Sequence, residues 1–409
     1  NDFVTEAANT TGQIYVHPDL STLRRAHKDD PLSAATVIGT WCSATGEPIN
    51  ECPRGGLQRL LNILSTHHNV SITLGFEIEL TLLRRREQSL HPPSPDLNTN
   101  SDPYEPLTTN HARSTLTPQQ STLALPLLAA IAKALGDIGI HIQQFHAESG
   151  AGQPDRSFFQ MAAREGLRAT LHPAPYPGLG TVAHAHVSLG SSSTRNGGGG
   201  ADADEDGSEV MTAVVEEEKE MRFFAGVMQH LDAICAFTLP EADSYDRVAD
   251  DSWTGGTWVA WGTQNRETPL RRVERGRWEA RCLDGIANMY LAVAAILAAG
   301  VVGLEEGKEM VWEDCLSEYL RPLPELAADD ASTGNPSRLS EEERKSLGIE
   351  RKLPTDIESA ITALEKDDEL RTTLTDGLVN DYVIMKKAEL QMLGKMSKDE
   401  RRVWLIERY

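Results

Sequence analysis

The longest apolar run of the chain, MYLAVAAILAAGVVGL, restricts the fold more than any other segment. It extends from Met289 to Leu304 and is 16 residues long, whereas a helix that crosses a bilayer needs about 20 residues. A run so rich in alanine and glycine is typical of a helix that is packed on all sides inside a protein. The 409 residues can supply the large core that such a helix requires, in two or three domains of about 100–200 residues each.

The charge of the chain excludes two classes of partner. Asp and Glu number 61 against 39 Lys and Arg, which gives a net charge of −22. We therefore expect no nucleic acid and no membrane among the partners, because both surfaces attract basic proteins. Residues 201–220 hold nine acids and one lysine, so they contribute −8 of that charge. The low-complexity stretch SSSTRNGGGGADADEDG predicts a disordered acidic insertion at about residues 191–209.

The cysteines indicate a reducing compartment. There are five of them, an odd number, and none forms a Cys-x-x-Cys pair. This spacing favours neither a disulfide framework nor a zinc site. Because the chain begins at Asn1 without a signal peptide, we expect a cytoplasmic protein whose earlier residues are missing.

Helical and strand-like patterns alternate along the chain, which is typical of an α/β protein. The residues from 89 to 120 are rich in Pro, Ser, Asn and Asp and predict a long surface loop. Helices are predicted at 57–67, 123–139, 211–237 and through the tail 356–409, and strands at 70–83, 140–145, 181–189 and on both sides of Asn265.

The segment GFEIEL carries two carboxylates with strand spacing. On a strand, Glu77 and Glu79 project from one face, while Phe76, Ile78 and Leu80 face the core. Neighbouring carboxylates repel each other unless a proton or a cation lies between them. The segment by itself is compatible with a solvated strand face or with a metal site.

Two further segments carry possible metal ligands. HAESGAGQPD places Glu148 and Asp155 on either side of a glycine-rich turn, where acids can reach a metal, although an ordinary polar turn has the same composition. GTVAHAHVSL places His184, His186 and Ser188 on one strand face. A pair of histidines on one face can be structural or can bind a ligand.

The stretch NRETPLRRVERGRWEAR is locally basic, with six arginines against three glutamates. Guanidinium groups bind phosphates and carboxylates through paired hydrogen bonds. A salt-bridged hairpin is the alternative. Together, the acids, histidines and arginines favour metal-assisted phosphoryl transfer, and the chain contains neither a Walker loop nor a kinase-type glycine loop.

In order and spacing these segments resemble the glutamine synthetase superfamily over nearly the whole chain. The segment PDLST is similar to the end of the family's N-terminal β-grasp domain, and SYDRVADDSWTGGTWVAWGTQNRETPLR is similar to the synthetase-like half of fungal FluG-type proteins. The other matching segments are GFEIEL, ESGAGQ, AHAHVSL, NRETPLR, WEARCLD, ANMYLA and LPTDIESAITALEKDDEL.

The resemblance implies a glutamine synthetase-like fold of the α+β or α/β class. Residues 1–56 would be the C-terminal part of a β-grasp domain, and residues 57–409 a catalytic domain with a curved antiparallel sheet flanked by helices. It also implies a homo-oligomeric ring, a decamer or dodecamer, with active sites between subunits.

The resemblance further implies an ATP-dependent ligase with two or three Mg²⁺ or Mn²⁺ ions. ATP would phosphorylate the γ-carboxylate of glutamate, and ammonia or an organic amine would then displace phosphate. The implied metal ligands are Glu79, Glu148 and Asp155 for one cation and Glu77, His184 and Glu279 for another. The residues implied to bind glutamate and the acceptor are Arg247, Gly180, Arg281 and Trp253. Those implied for catalysis are Arg266, Arg281 and Glu279, and those implied to bind ATP are His186, Ser188, Arg271 and Arg277.

Two departures from the family pattern concern one cation and the acceptor. Asp155 stands where the family has glutamate, and the flap reads Asp250-Asp251-Ser252-Trp253 where the family supplies a base. The shorter Asp155 predicts weaker binding of the first cation, and the flap favours an organic amine over ammonium. They also permit two other readings, namely a catalytically degenerate protein with a signalling or developmental role, and a kinase that stops at the phosphoryl step.

Overall fold

The computed structural model describes residues 13–25, 35–86, 103–107, 122, 125–136, 142, 162–163, 166–176, 180–191, 213–252, 254–316 and 334–409. Within these ranges, no helix combines the length and the apolar character that crossing a bilayer requires. Most of the predicted acidic insertion, of the polar loop at 89–120 and of the strand at 140–145 lies outside the described residues, as does the whole HAESGAGQPD segment.

The described elements are ten strands and eleven helices. They follow the chain as β1 Tyr15–Arg25, β2 Ala35–Cys42, α1 Pro53–His67, β3 Val70–Ile78, β4 Thr81–Arg85, β5 Tyr104–Pro106, α2 Leu125–Gly136, β6 Leu167–Thr170, β7 Ala183–Ser191, α3 Glu217–Gln229, α4 Leu231–Thr238, α5 Ala242–Arg247, β8 Trp261–Thr263, β9 Leu270–Glu274, β10 Arg277–Ala280, α6 Met289–Glu305, α7 Glu341–Ser346, α8 Ile357–Lys366, α9 Asp368–Leu374, α10 Asp376–Leu393 and α11 Lys398–Arg408.

The central sheet has five strands in the order β3-β7-β10-β9-β8. Neighbouring strands are antiparallel, except that β8 is parallel to β9. Trp278 of β10 is fully buried and stacks on Phe224 of α3, with ring centroids 4.2 Å apart. The sheet therefore shares one core with the helices that cover it.

Helix α6 confirms the predicted internal helix, because its middle thirteen residues are all buried. Helices α1, α3 and α9 pack against it. The backbones of α6 and α3 nearly touch, since a Cβ atom on Gly226 would lie 2.1 Å from the carbonyl oxygen of Ala299 and 2.8 Å from the Cα of Gly303. Only glycine fits at such an approach.

The stretch 211–237, predicted as one helix, is instead the two helices α3 and α4, with His230 between them. The Nδ1 atom of His230 lies 2.7 Å from a carboxylate oxygen of Asp367, and its Nε2 atom lies 3.2 Å from one of Glu369. The two carboxylates tie the break between the helices to the start of α9.

The prediction of a single strand over residues 70–83 was wrong. It divides at Glu79 into β3 and β4, and β4 belongs to a separate sheet of order β5-β4-β6. Phe76 was also expected in the core but is 40% exposed, because β3 is the edge strand and Phe76 is not covered by the described residues. Ile78 packs against the core and Leu80 is fully buried, as predicted.

Strands β1 and β2 form a separate antiparallel ribbon next to α1. A two-stranded ribbon that exposes apolar side chains on both faces is unstable by itself. Large exposed apolar side chains of the ribbon and of the residue before it are Ile14, Tyr15, Val16, Leu20, Leu23, Val37, Ile38 and Trp41. The domain boundary after residue 56 stays a prediction, and this position lies within α1.

The tail is helical from α8 to α11, as predicted for 356–409. Asp356 and Ser397 cap the first turns of α8 and α11 by accepting hydrogen bonds from the backbone. The five cysteines are all free and buried, which confirms that they form no disulfide framework.

Candidate active site

Three adjacent strands bring acids and histidines to one face of the central sheet. Glu77 of β3 lies opposite His184 of β7, and His186 of β7 lies opposite Glu279 of β10. Opposite residues in antiparallel strands share a face, as do residues two apart on one strand. Strand β7 begins at Ala183, two residues later than predicted, and this shift leaves both histidines inside the strand.

The side chains of this group are in contact. The Nδ1 atom of His184 lies 3.0 Å from Glu279 Oε1 and 3.5 Å from Glu77 Oε2. The Nε2 atom of His186 lies 3.8 Å from the same oxygen of Glu77. Glu279 is fully buried, whereas the Glu77 side chain is 38% exposed. The site is thus closed at β10 and open towards the edge strand.

Two arginines surround Glu279. Arg271 of β9 donates from Nη1 to Oε2 at 3.0 Å, and Arg281 donates from Nη1 to Oε1 at 2.5 Å. Burial by itself raises the pKa of Glu279, but His184, Arg281 and Arg271 together hold this pKa well below its usual range. Contacts with His184 and His186 likewise lower the pKa of Glu77. Both carboxylates are ionised at neutral pH.

The chemistry of this group fits a divalent cation. Glu77, His186 and Glu279 each offer one ligand atom, and these atoms lie within 4.8 Å of one another. Within the described part of the chain, the buried Nε2 of His184 and Nδ1 of His186 have no hydrogen-bond partner. Carboxylate oxygens and imidazole nitrogens are ordinary ligands of Mn²⁺, and carboxylates also suit Mg²⁺.

The ligands implied for the other cation are less complete. Glu79 follows the end of β3, is half-buried, and donates its backbone N–H to the carbonyl oxygen of Val182 at 2.7 Å. Glu148 and Asp155 lie outside the described residues. The assignment of these residues to one cation stays a prediction.

The residues implied for glutamate lie at the end of α5. Arg247 is buried, and its Nε and Nη2 atoms lie 2.8 and 2.7 Å from one oxygen of Asp284. Its buried Nη1 atom has no partner among the described residues. A Cβ atom on Gly180 would lie 3.7 Å from Cγ of Arg247, so these two predicted residues are neighbours. Trp253 lies outside the described ranges.

The residues implied for ATP are more exposed. Ser188 and Arg277 lie opposite each other on β7 and β10. The side chain of Arg277 is 42% exposed and is 3.7 Å from Glu274. Arg266 is exposed in the turn before β9.

Three residues that the sequence did not single out support the site arginines. Asp284 pairs with Arg247, and Gln264 accepts from Arg271 Nη2 at 2.5 Å. Asn265 is buried and accepts the backbone N–H of Glu267, which shapes the turn that carries Arg266. Their position in the sequence could have pointed to two of them, because Asp284 is the last residue of WEARCLD and Gln264 directly precedes NRETPLR.

The two acids of the flap already have partners. Asp250 accepts from the backbone N–H and the hydroxyl of Thr257, both at 2.8 Å. Asp251 accepts from Asn335 Nδ2 at 2.8 Å and from Arg338 Nε at 2.7 Å. The flap carboxylates therefore serve structural hydrogen bonds.

Comparisons with known proteins support the sequence reading. The family model of the glutamine synthetase catalytic domain matches residues 50–158, 156–320 and 323–405. Protein fluG of Emericella nidulans is 41% identical over 98% of the chain, which spans 43% of that relative. Gamma-glutamylpolyamine synthetase GlnA3 of Streptomyces coelicolor is 27% identical over 95% of the chain and 79% of its own length. A crystal structure of a glutamine synthase homolog superposes with a TM-score of 0.69 at 22% identity, covering 100% of this chain and 88% of that one, which confirms the predicted fold class.

Proposed function

The chain belongs to the glutamine synthetase family through its catalytic domain, and we propose that it is an ATP-dependent ligase that joins the γ-carboxylate of glutamate to ammonia or an organic amine. The observation that carries the proposal is the strand register that gathers Glu77, His184, His186 and Glu279 on one face, with Arg271 and Arg281 bound to Glu279. Acids for cations and arginines for anions within one group suit phosphoryl transfer to a carboxylate.

The proposed reaction has two steps. An oxygen of the glutamate γ-carboxylate attacks the γ-phosphorus of ATP, and ADP leaves. The nitrogen of the acceptor then attacks the carbonyl carbon of γ-glutamyl phosphate, phosphate leaves, and the nitrogen loses a proton. Both steps place negative charge on oxygens, which Arg266, Arg271 and Arg281 can stabilise.

Divalent cations are the proposed cofactors. Glu77, His184 and Glu279 would hold one cation, and the position of His186 beside Glu77 makes it a further donor. Glu79, with Glu148 and Asp155, would hold the other. Bound Mg²⁺ or Mn²⁺ would offset the charge of the phosphates.

Arg247 is the proposed partner of the glutamate α-carboxylate. Its Nη1 atom is buried and without a partner in the described ranges, next to Gly180. Buried guanidinium donors require an acceptor, and a carboxylate is a strong one. Ser188 and Arg277 are proposed to face ATP.

An organic amine is the acceptor that we favour. The flap acids Asp250 and Asp251 are engaged with neighbouring residues, so neither is free to bind ammonium as its counter-ion. The name of the relative GlnA3 also refers to a polyamine. We propose that Trp253 packs against the acceptor.

We further propose a ring of subunits. The exposed apolar side chains of the β1–β2 ribbon support this, because exposed apolar surfaces mark protein interfaces. Sedimentation of the full chain measures the assembly, and a monomer at all concentrations contradicts it.

The direct test is phosphate release from ATP with glutamate, Mn²⁺ or Mg²⁺, and a panel of amines. We expect glutamate-dependent release that rises with one class of amine, and loss of release in Glu77→Gln. Glu105→Gln is the matched control, because this glutamate lies on β5 of a separate sheet and pairs with Arg86. No release with any amine, together with unchanged thermal stability on adding ATP and Mn²⁺, contradicts the proposal.

The second candidate is a catalytically degenerate protein with a signalling or developmental role. The engaged flap acids favour it, since no described flap residue remains as a base. It predicts that Glu77→Gln and Arg281→Gln leave the biological phenotype intact, whereas the ligase predicts its loss.

A further inference from the structure

The C-terminal helix α11 contacts the short helix that carries Arg247. Arg401 donates from Nε to Asp243 Oδ2 at 2.7 Å, and this aspartate side chain is only 3% exposed. Lys398 lies 2.6 Å from Asp246, at a more exposed position. Asp243 is four residues before Arg247, one helical turn away on α5.

The end of α11 and the following Tyr409 also contact the segment that leads to Gly180. The carbonyl oxygen of Tyr409 accepts the backbone N–H of Leu171 at 2.7 Å, and Arg168 donates to the carbonyl oxygen of Ile406 at 2.8 Å. Two residues beyond Leu171, the carbonyl oxygen of Pro173 accepts the N–H of Thr181 at 3.0 Å, directly after Gly180. Helix α11 thus contacts the segments on which both Gly180 and Arg247 depend.

Helix α5 cannot fix the position of Arg247 by itself. It has six residues, and isolated helices shorter than about 12 residues are marginal in water. Charged partners from other elements hold it, since Lys386 of α10 lies 3.0 Å from Glu241, the residue before α5, and Arg401 holds Asp243. Both carboxylates are buried, so these pairs have little freedom to move.

We infer that helix α11 is a positioning element of the glutamate pocket, with Arg401 acting through Asp243 on Arg247. The inference rests on the proposed function, because it takes Arg247 as the partner of the glutamate α-carboxylate. A displaced Arg247 weakens the binding of glutamate, while the ATP side, built on β7 and β10, keeps its geometry. Helix α11 therefore acts on the affinity for glutamate and leaves the affinity for ATP unchanged.

The test compares Arg401→Gln with the wild-type full chain. We expect the KM for glutamate to rise at least fivefold while the KM for ATP and the affinity for Mn²⁺ stay within twofold. Arg401→Lys should restore most of the affinity for glutamate. The double variant Asp243→Asn/Arg401→Gln replaces the ion pair by a neutral hydrogen bond, and it should lie closer to the wild type than Arg401→Gln.

Arg408→Gln is the matched control on the same helix. Arg408 stacks on the ring of Trp404, 3.8 Å from its centroid, and we expect no change in either KM. If Arg401→Gln does not fold, Arg401→Lys and the double variant carry the comparison. Equal changes in both KM values, or an unchanged KM for glutamate, overturn the inference.

Calorimetric titration with glutamate separates this inference from the proposed function. A wild-type chain that binds glutamate without turnover contradicts the ligase, and the affinities of the variants still decide the role of α11. A wild-type chain that binds no glutamate overturns both.

Discussion

Arg247 meets Asp284 through a single carboxylate oxygen, since both Nε and Nη2 of the guanidinium lie within 2.8 Å of Oδ1. This contact occupies one edge of the guanidinium and leaves Nη1 at the other edge. Burial raises the pKa of Asp284, and Arg247 counteracts that rise. Asp284 therefore compensates a buried charge and also selects the edge of Arg247 that remains available.

We predict that Asp284→Ala lowers the free energy of unfolding by about 3–5 kcal/mol, because it leaves a buried guanidinium without its counter-ion. Denaturant unfolding measures this. Glu365→Ala is the control, because Glu365 forms an exposed pair with Lys387 and should cost less than about 1 kcal/mol. Losses of similar size in the two variants would contradict the role given to Asp284.

Glu77→Gln should weaken Mn²⁺ binding at least tenfold, since a neutral amide is a poorer ligand than a carboxylate. Isothermal titration calorimetry with Mn²⁺ alone checks this without turnover. Glu105→Gln serves as control, because Glu105 lies on β5 of a different sheet and pairs with Arg86 at 3.4 Å. Equal Mn²⁺ affinity in wild type and Glu77→Gln would exclude Glu77 as a ligand.

His172 makes the stability of the chain depend on pH. Burial lowers the pKa of His172 to about 4, although Asp243 counteracts this shift. The unfolded chain binds the proton near pH 6.5, so it takes up more protons than the folded chain between these values. Stability from this residue is complete above about pH 6.5 and is lost as the pH falls towards 4, by up to about 3 kcal/mol.

His172→Asn tests this prediction, because an amide oxygen can replace Nδ1 as acceptor for the backbone N–H of Ala174. We expect unfolding curves at pH 7 and pH 5 to differ less in the variant than in the wild type. His67→Asn, at an exposed position, is the control. An identical pH dependence in wild type and His172→Asn would show that the pKa of His172 is the same in the folded and the unfolded chain.

Gly226→Ala should destabilise the chain by more than 3 kcal/mol, or prevent folding, because the new Cβ overlaps the backbone of α6. Helix propensity acts in the opposite direction by only about 1 kcal/mol. Gly136→Ala is matched in chemistry, since a Cβ on Gly136 meets nothing within 4 Å in the described residues. It should change stability by no more than about 1 kcal/mol, and a similar loss at both glycines would refute the close approach.

Alternation along single strands predicted which side chains of the site share a face. His184 shares a face with His186, and Glu279 with Arg281, since the face of a strand residue is a local property. The grouping of Glu77, His184 and Glu279 from three strands was implied only by the family resemblance. The break at Glu79 was not predictable, because β3 and β4 differ only in the sheets that they join. The break between α3 and α4 at His230 depends on Asp367, which is 137 residues away in the sequence. The orientation of Arg247 depends on Asp284, which is 37 residues away.

The strand register has a consequence for how the chain assembles its candidate metal site. The candidate ligands come from three strands, and pairing β3 with β7 joins residues 107 positions apart. A slip of β7 by one residue would replace both histidines on that face by alanine or valine. Partly folded chains therefore lack the site, and a divalent cation stabilises only the native sheet by mass action. If the proposed cation binds, its affinity thus reports whether the sheet has assembled in the correct register, independently of any catalytic turnover.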